Sequence, residues 1–223
     1  MKYICLYILV CLVAFFTFAS CTDDELFASS QHVVEGLPTC VSLPYAVQTS
    51  PVYTRAAQDS KYEYQVENLY ILVFDSYGNR ISTTDDSGNQ KSFFTVNSGL
   101  SVTNTNNSSK GSVKFNTVTA NNARIVGIAN LKTDATSTAY ALESSQLDLI
   151  NTLAELEALV MPLYSKNSVE RGALFMMTGY GEDENGNTDI TIKGEEGGIT
   201  QLNCTLKLRR TDAKITVNVN SEK

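Results

Sequence analysis

The chain has 223 residues, of which 43% are hydrophobic and 18% are charged, so it can bury one substantial core and is expected to form one globular domain. Its net charge of −7 argues against a phosphate-binding surface and excludes nucleic acid as a partner. The single histidine, His32, leaves no imidazole cluster for acid–base catalysis or metal binding, so we expect no enzyme, no cofactor and no metal.

The N-terminus has the pattern of an export signal. Met1 and Lys2 form a positive head, and the apolar run at residues 3–18 is long enough for a signal peptide but short for a membrane-spanning helix. Residues 18–21 (FASC) resemble the lipobox of bacterial lipoproteins. This resemblance predicts a signal peptide at 1–20 and acylation of Cys21, with palmitate as the expected lipid, and thus an outer-membrane anchor. The alternative is an ordinary signal peptide with Cys21 incidental.

A polar stretch follows the cysteine. Residues 22–25 (TDDE) resemble the surface-export tag of lipoproteins of Bacteroidota, and a simple solvated tether is the equal alternative. Small and polar residues without a period continue to residue 36. We therefore interpret residues 21–36 as a flexible tether.

Residues 37–48 alternate as a strand with one buried face. Pro44 has no backbone N–H to donate, so this strand is predicted to lie at the edge of a sheet. Its apolar set consists of Val41, Leu43, Tyr45 and Val47.

A linker of small and polar residues, 49–61, separates this strand from the next one. Arg55 lies within it and is followed by Ala56. An exposed arginine with small neighbours in an extended segment is what a trypsin-like protease needs. The alternative is that Arg55 is an ordinary solvated side chain.

The rest of the chain is rich in strand patterns. Residues 69–74 are an unbroken apolar run that predicts a strand covered on both faces, and the turn residues 75–79 predict a hairpin after it. Residues 97–110 are interpreted as a polar loop, and Gly127 would permit close backbone packing. Eight or nine short strands indicate a β-sandwich. The further strands are predicted at residues 91–96, 112–115, 123–131, 173–180, 202–209 and 214–220.

One amphipathic helix is predicted at residues 145–163. Ser145 is its expected N-cap, with Asp148 at the capping-box distance, and Pro162 closes the pattern. Packing on a sheet is the expected role, and docking of a partner is the alternative. The apolar stripe consists of Ile150, Leu153, Leu156, Leu159, Val160 and Leu163.

Other patterns carry no chemistry. Cys204 is expected on the inward, apolar face of its strand, whereas Cys40 is expected on the outward face of its strand. Two free thiols are therefore expected instead of a disulfide. Met176 and Met177 are interpreted as core residues. Residues 181–189 lack the glycine and closing glutamate of a calcium loop at the required steps, which favours a hairpin turn.

The order of several short motifs resembles the fimbrillin family, the major and minor subunits of type V pili of Bacteroidota. This resemblance implies a transthyretin-like β-sandwich at 37–223, followed in the family by a second sandwich domain. The chain stops at Lys223, so a fragment or a shortened member is expected. The motifs are Cys21, the strand at 69–75, the element at 124–130, the helix around Leu153, residues 176–178 and the block at 206–219.

The resemblance also implies a mechanism of assembly. In the family, a lipoprotein precursor reaches the cell surface, an arginine-specific protease removes the first strand, and a donor strand from another fimbrial subunit fills the groove. On this chain Arg55 and Ala56 would flank the cut, and residues 37–55 would be the removable strand and linker. Other fimbrial subunits, the outer membrane and a host or bacterial surface ligand in adhesion are the implied partners. The alternatives are an uncleaved lipid-anchored accessory subunit and a surface glycan-binding lipoprotein.

The energy of such an exchange can be bounded. Burial of Val41, Leu43, Tyr45 and Val47 contributes roughly 1.5–3 kcal/mol each, or about 6–12 kcal/mol as an upper bound. A whole domain is typically stable by about 5–15 kcal/mol. An open groove would therefore be a strongly driven acceptor for a new strand.

Overall fold

Strands form most of the described chain. The computed structural model describes residues 33–48, 62, 64–105, 108–133, 142–159, 174–195 and 197–211, all within the compact unit Val33–Lys223. The strands are β1 (Pro38–Val47), β2 (Asn68–Phe74), β3 (Arg80–Ile81), β4 (Phe93–Thr95), β5 (Leu100–Asn104), β6 (Ser109–Val118), β7 (Ala120–Ala129), β8 (Met177–Glu182), β9 (Ile190–Ile192), β10 (Ile199–Gln201) and β11 (Thr205–Arg210).

These strands form one mixed sheet in the order β3-β2-β7-β8-β11-β1-β6-β5. Strand β8 joins its two halves, because it pairs antiparallel with both β7 and β11. The short strands β4, β9 and β10 pair with β2, β7 and β1, respectively. The mainly β architecture predicted from the sequence is confirmed.

The two halves of the sheet pack against each other around one core. Leu69, Ile71 and Val73 of β2 belong to the same buried cluster as the inward side chains of β1, β6 and β11. The rings of Phe94 in one half and Phe115 in the other lie 6.1 Å apart between centroids. The predicted sandwich core therefore lies between β2–β7 and β11–β1–β6.

Strand β2 is buried on both faces, as its unbroken apolar run predicted. Its odd-numbered residues enter the core between the halves. Tyr70, Leu72 and Phe74 pack against helices on the outer face. The turn after β2 is also confirmed: Gly78 has φ +83°, a conformation that glycine adopts at little cost, and β3 returns antiparallel to β2.

The helical region differs from its prediction. Two short helices, α1 (Ser144–Asp148) and α2 (Leu153–Glu157), replace the single helix predicted from Ser145. Leu147, Ile150 and Leu153 are buried against the outer face of the sheet, so the prediction that this region packs on a sheet is correct. The prediction of one continuous helix is wrong. Residues 160–163, including Pro162, lie outside the described residues.

The break between the helices has two causes, one local and one from a distant part of the chain. Thr152 and Glu155 form a new capping box: the Thr152 side chain accepts from the Glu155 N–H (3.2 Å), and the Glu155 carboxylate accepts from the Thr152 N–H (3.2 Å). Arg80 donates from Nη1 to the carbonyls of Leu147 (3.0 Å) and Ile150 (2.9 Å). The Asp148 predicted for the first capping box instead accepts from the hydroxyl of Tyr70.

Three turns share the pattern D-x-x-G-N at residues 75–79, 85–89 and 183–187. In each turn the aspartate Oδ1 accepts from the backbone N–H groups two and four residues ahead, at 2.8–2.9 Å. The Asn side chain donates to the other carboxylate oxygen. The last of these turns lies in the segment at 181–189 that was predicted as a hairpin turn, but the strand after it, β9, pairs with β7 instead of with β8.

The polar segment at 97–110 is not all loop, because β5 lies within it and pairs with β6. Its side chains are mostly Ser, Thr and Asn, and only its backbone pairing reveals the strand. The predicted strand at 214–220 lies outside the described residues. None of the helices in the described ranges is long and apolar enough to cross a membrane.

Candidate assembly site

Strand β1 lies in the middle of its half of the sheet, with partners along both sides. It pairs antiparallel with β6 over residues 38–46, and parallel with β10 and β11 at 40–42 and 45–47. The predicted face is confirmed as the buried one, whereas the predicted edge position is wrong. The exposed fractions are 0% for Val41, 0% for Leu43, 1% for Tyr45 and 6% for Val47.

Pro44 is tolerated in this central strand because the parallel partners of β1, β10 and β11, are interrupted beside it. The Ser42 carbonyl accepts from the Leu202 N–H (3.0 Å) and the Gln48 N–H donates to the Leu208 carbonyl (2.8 Å), so even-numbered residues of β1 direct their backbone groups to this side. From 42 to 45 β1 advances three residues while its partner advances five, from 201 to 206. The missing N–H of Pro44 faces this irregular stretch, so it leaves no regular ladder bond unmade.

The gap beside Pro44 opens into a cavity of about 880 Å³. Glu182, Asp183, Glu184 and Lys207 contribute to its wall. Nowhere in the described part of the chain do three or more His, Cys, Asp or Glu side chains form a group that could hold a metal ion.

The chain just before β1 is attached to the start of β7 and the residue before it. Asn121 donates to the Val33 carbonyl (2.7 Å) and accepts from the Val33 N–H (2.9 Å). The Thr119 hydroxyl donates to the Val34 carbonyl (2.6 Å), and the Gly36 N–H donates to the Thr119 carbonyl (2.9 Å). Residues 33–36, interpreted as the last part of a flexible tether, are therefore held by hydrogen bonds.

The other end of β1 is held at Gln48. Arg209 Nε donates to the Gln48 side-chain oxygen (2.5 Å). Glu182 lies between Lys207 (2.7 Å) and Arg209 (3.6 Å) and orients both cations. Arg55 and Ala56, which follow Gln48 in the sequence, lie outside the described residues, as does Cys21.

Two thiols lie near the site, and both are free. Cys204 is buried, and burial raises its pKa to about 12. The group therefore stays protonated, and a protonated thiol is a poor nucleophile. Cys40 lies on the opposite, half-exposed face of β1. The predicted opposite orientation of the two cysteines is confirmed.

The solved structures that resemble the chain include the tip fimbrial protein Mfa3 from Porphyromonas gingivalis with C-terminal truncation, at 14% identity, a TM-score of 0.45, 77% of this chain and 48% of that chain. They also include a fimbrial assembly protein from Parabacteroides distasonis, at 14% identity, a TM-score of 0.38, 76% of this chain and 51% of that chain. The chain thus spans about half the length of each of these structures.

None of the curated proteins matches the sequence. The family model described as major fimbrial subunit protein (FimA) matches residues 41–210, from within β1 to the last residue of β11. Because this match spans well over half of the 223 residues, the chain belongs to the FimA major fimbrial subunit family.

Proposed function

We propose that this chain is a structural subunit of a surface fimbria that is assembled by strand exchange. It is exported as a lipoprotein precursor through Cys21, cut after Arg55, and joined to the next subunit when a donor strand replaces β1. The observation that carries this proposal is that a strand near the N-terminus, followed by the linker with Arg55, occupies the central position between β11 and β6 with four buried side chains.

The structure also bounds what the cut can do. Cleavage after Arg55 breaks the covalent link, but β1 keeps its backbone pairing to β6, β10 and β11 and the contacts of Asn121 and Arg209. A nicked subunit therefore retains β1 until a competing strand displaces it. Loss of β1 without replacement would expose the edges of β6 and β11, which favours capture of another strand or aggregation.

Assembly of this kind needs no catalysis by the subunit, so we propose no enzymatic role. The partners are other fimbrial subunits, and the finished polymer supports adhesion to a host or bacterial surface. A glycan-binding lipoprotein would require a platform of exposed aromatic rings. Among the described residues, Tyr77 is the large aromatic side chain that is mostly exposed, at 88%, which does not form such a platform.

The test is digestion of the purified full chain, carrying Cys21→Ala to remove the acylation site, with an arginine-specific protease. Arg80, Arg124, Arg209 and Arg210 lie in strands, which resist proteolysis. We expect a new N-terminus at Ala56, an N-terminal fragment that co-elutes with the rest of the chain, and oligomers on longer incubation.

The matched variants are Arg55→Lys and Arg171→Lys, because each removes one arginine cleavage site and keeps the positive charge. Arg55→Lys is expected to abolish the Ala56 terminus and the oligomers, whereas Arg171→Lys leaves both unchanged. Absence of a cut at Arg55 and of oligomers in the parent chain would overturn the proposal. Surface protein that remains intact and acylated at Cys21 would instead favour an uncleaved, lipid-anchored accessory subunit.

A further inference from the structure

The surroundings of Tyr45 differ from those of Val41, Leu43 and Val47, the other three buried hydrophobic side chains of β1. Val41, Leu43 and Val47 enter an apolar cluster in which neighbouring aliphatic side chains can fill the same space. Tyr45 enters the cluster with a ring that is 1% exposed, and it places a hydroxyl group in the interior. A buried hydroxyl requires hydrogen-bond partners, so this pocket can distinguish between side chains of equal size.

The room for the ring comes from Gly111, which pairs with Tyr45 in the register between β1 and β6. A Cβ atom at Gly111 would lie 3.0 Å from Cε1 of Tyr45 and 1.8 Å from the carbonyl oxygen of Ser101 in β5. No side chain fits there without a shift of the backbone. The glycine therefore leaves room for the Tyr45 ring at this point of β6, and this space is called the slot below.

The far end of the slot is polar. The Tyr45 hydroxyl donates to the Ser101 carbonyl at 3.2 Å. The Ser109 hydroxyl, on a residue that is 1% exposed, has no hydrogen-bond partner of standard geometry among the described residues. Burial raises the pKa of Tyr45 to about 12, and the nearby Ser109 hydroxyl offsets part of this rise. The slot therefore offers one acceptor and one donor-acceptor to a phenolic hydroxyl.

We propose that this slot selects the incoming donor strand by requiring a tyrosine. The inference rests on the proposed function. The partner is an extended segment of another subunit that runs antiparallel to β6 and parallel to β11, with aliphatic side chains at the positions of Val41, Leu43 and Val47 and a tyrosine at the position of Tyr45. The aliphatic positions supply binding energy, and the tyrosine supplies register and specificity, because a strand displaced by two residues would bring an aliphatic side chain to the polar end of the slot.

The test uses the full chain cut after Arg55 as the acceptor and synthetic peptides as probes. The parent peptide has the sequence of residues 37–48 with Cys40→Ser and a fluorescent label. The variants carry Tyr45→Phe, which removes the hydroxyl alone, Tyr45→Leu, which removes the ring, and Ser42→Ala as a control on the opposite face. Binding to the acceptor is measured by fluorescence anisotropy at equilibrium.

We expect Tyr45→Phe to weaken binding about five- to tenfold, because the Ser101 carbonyl loses the phenolic donor at a part-buried position. Tyr45→Leu should weaken binding at least about 30-fold, since the slot is left partly empty. The Ser42→Ala control should stay within about twofold of the parent. An acceptor carrying Ser109→Ala should show a smaller difference between the Tyr and Phe peptides.

The outcomes separate this inference from the function on which it rests. Equal binding of the Tyr, Phe and Leu peptides would overturn the tyrosine requirement and leave strand exchange intact. Failure of every peptide, the parent included, to displace the resident β1 would overturn strand exchange and the inference with it. A larger effect of Ser42→Ala than of Tyr45→Phe would place specificity on the outer face and contradict the proposal.

Discussion

Truncation of Leu43 in β1 gives a direct measure of how strongly the first strand is held. Leu43 is 0% exposed and pairs with Val113 at the middle of the β1–β6 ladder. Because partners surround it on both sides of β1, the site can collapse only partially after Leu43→Ala. The expected loss of stability is thus about 2–5 kcal/mol, out of a typical total of about 5–15 kcal/mol.

The assay is equilibrium unfolding in urea, followed by circular dichroism, on the uncut chain. The midpoint should fall with little change in slope, because the surface exposed on unfolding is nearly unchanged. Ser42→Ala is the matched control on the half-exposed face of the same strand, and it should change stability by less than about 0.5 kcal/mol.

The same substitution should act on the cut chain. After cleavage at Arg55, the N-terminal fragment is retained only by its contacts, so Leu43→Ala should speed its displacement by a competing strand at least about 30-fold. A stability loss under about 1 kcal/mol in the uncut chain, or no change in displacement after cutting, would refute the view that the buried face of β1 holds the strand in place.

Three further outcomes are expected. Gly127→Ala should cost about 1–3 kcal/mol, because its Cβ would lie 2.3 Å from Leu206 Cδ2, and the added cost should shrink in a Leu206→Ala background; thermal unfolding of the single and double variants checks this. Arg80→Lys should lower the free energy of unfolding by about 2–3 kcal/mol in urea, since a lysine cannot donate to Tyr70, Ser92 and the helix carbonyls at the same time. A loss under about 0.5 kcal/mol would show that these hydrogen bonds of Arg80 contribute little to stability. Turn hydrogen bonds lower the pKa of Asp85 and Asp183 in the folded chain, so the two carboxylates stabilise it above the unfolded pKa of about 3.9, and this stabilisation is lost as the pH falls through the lower folded pKa values. The double variant Asp85→Asn and Asp183→Asn should therefore lose melting temperature less steeply than the parent chain below about pH 4. An unchanged slope would exclude these two turns as a source of acid sensitivity.

Local sequence patterns predicted the features that depend on neighbouring residues. The buried run of β2, the alternation of β1 and the turn at 75–79 follow from side-chain periodicity and from residues that adopt turn conformations. A capping box at Thr152 and Glu155 was also readable, and it signals the helix break that the longer apolar stripe concealed.

Long-range pairing decided the rest. Pro44 indicated an edge strand by the local rule, but its missing N–H falls where the chain between Leu202 and β11 departs from the ladder, so β1 could be central. Arg80 stabilises the end of α1 from a distant hairpin, and Gly111 and Ser101 shape the slot for Tyr45 from two other strands. Periodicity along the chain specifies which face of a strand is buried, but which strands become its neighbours depends on contacts between residues far apart in the sequence, and these exist only in the folded sheet.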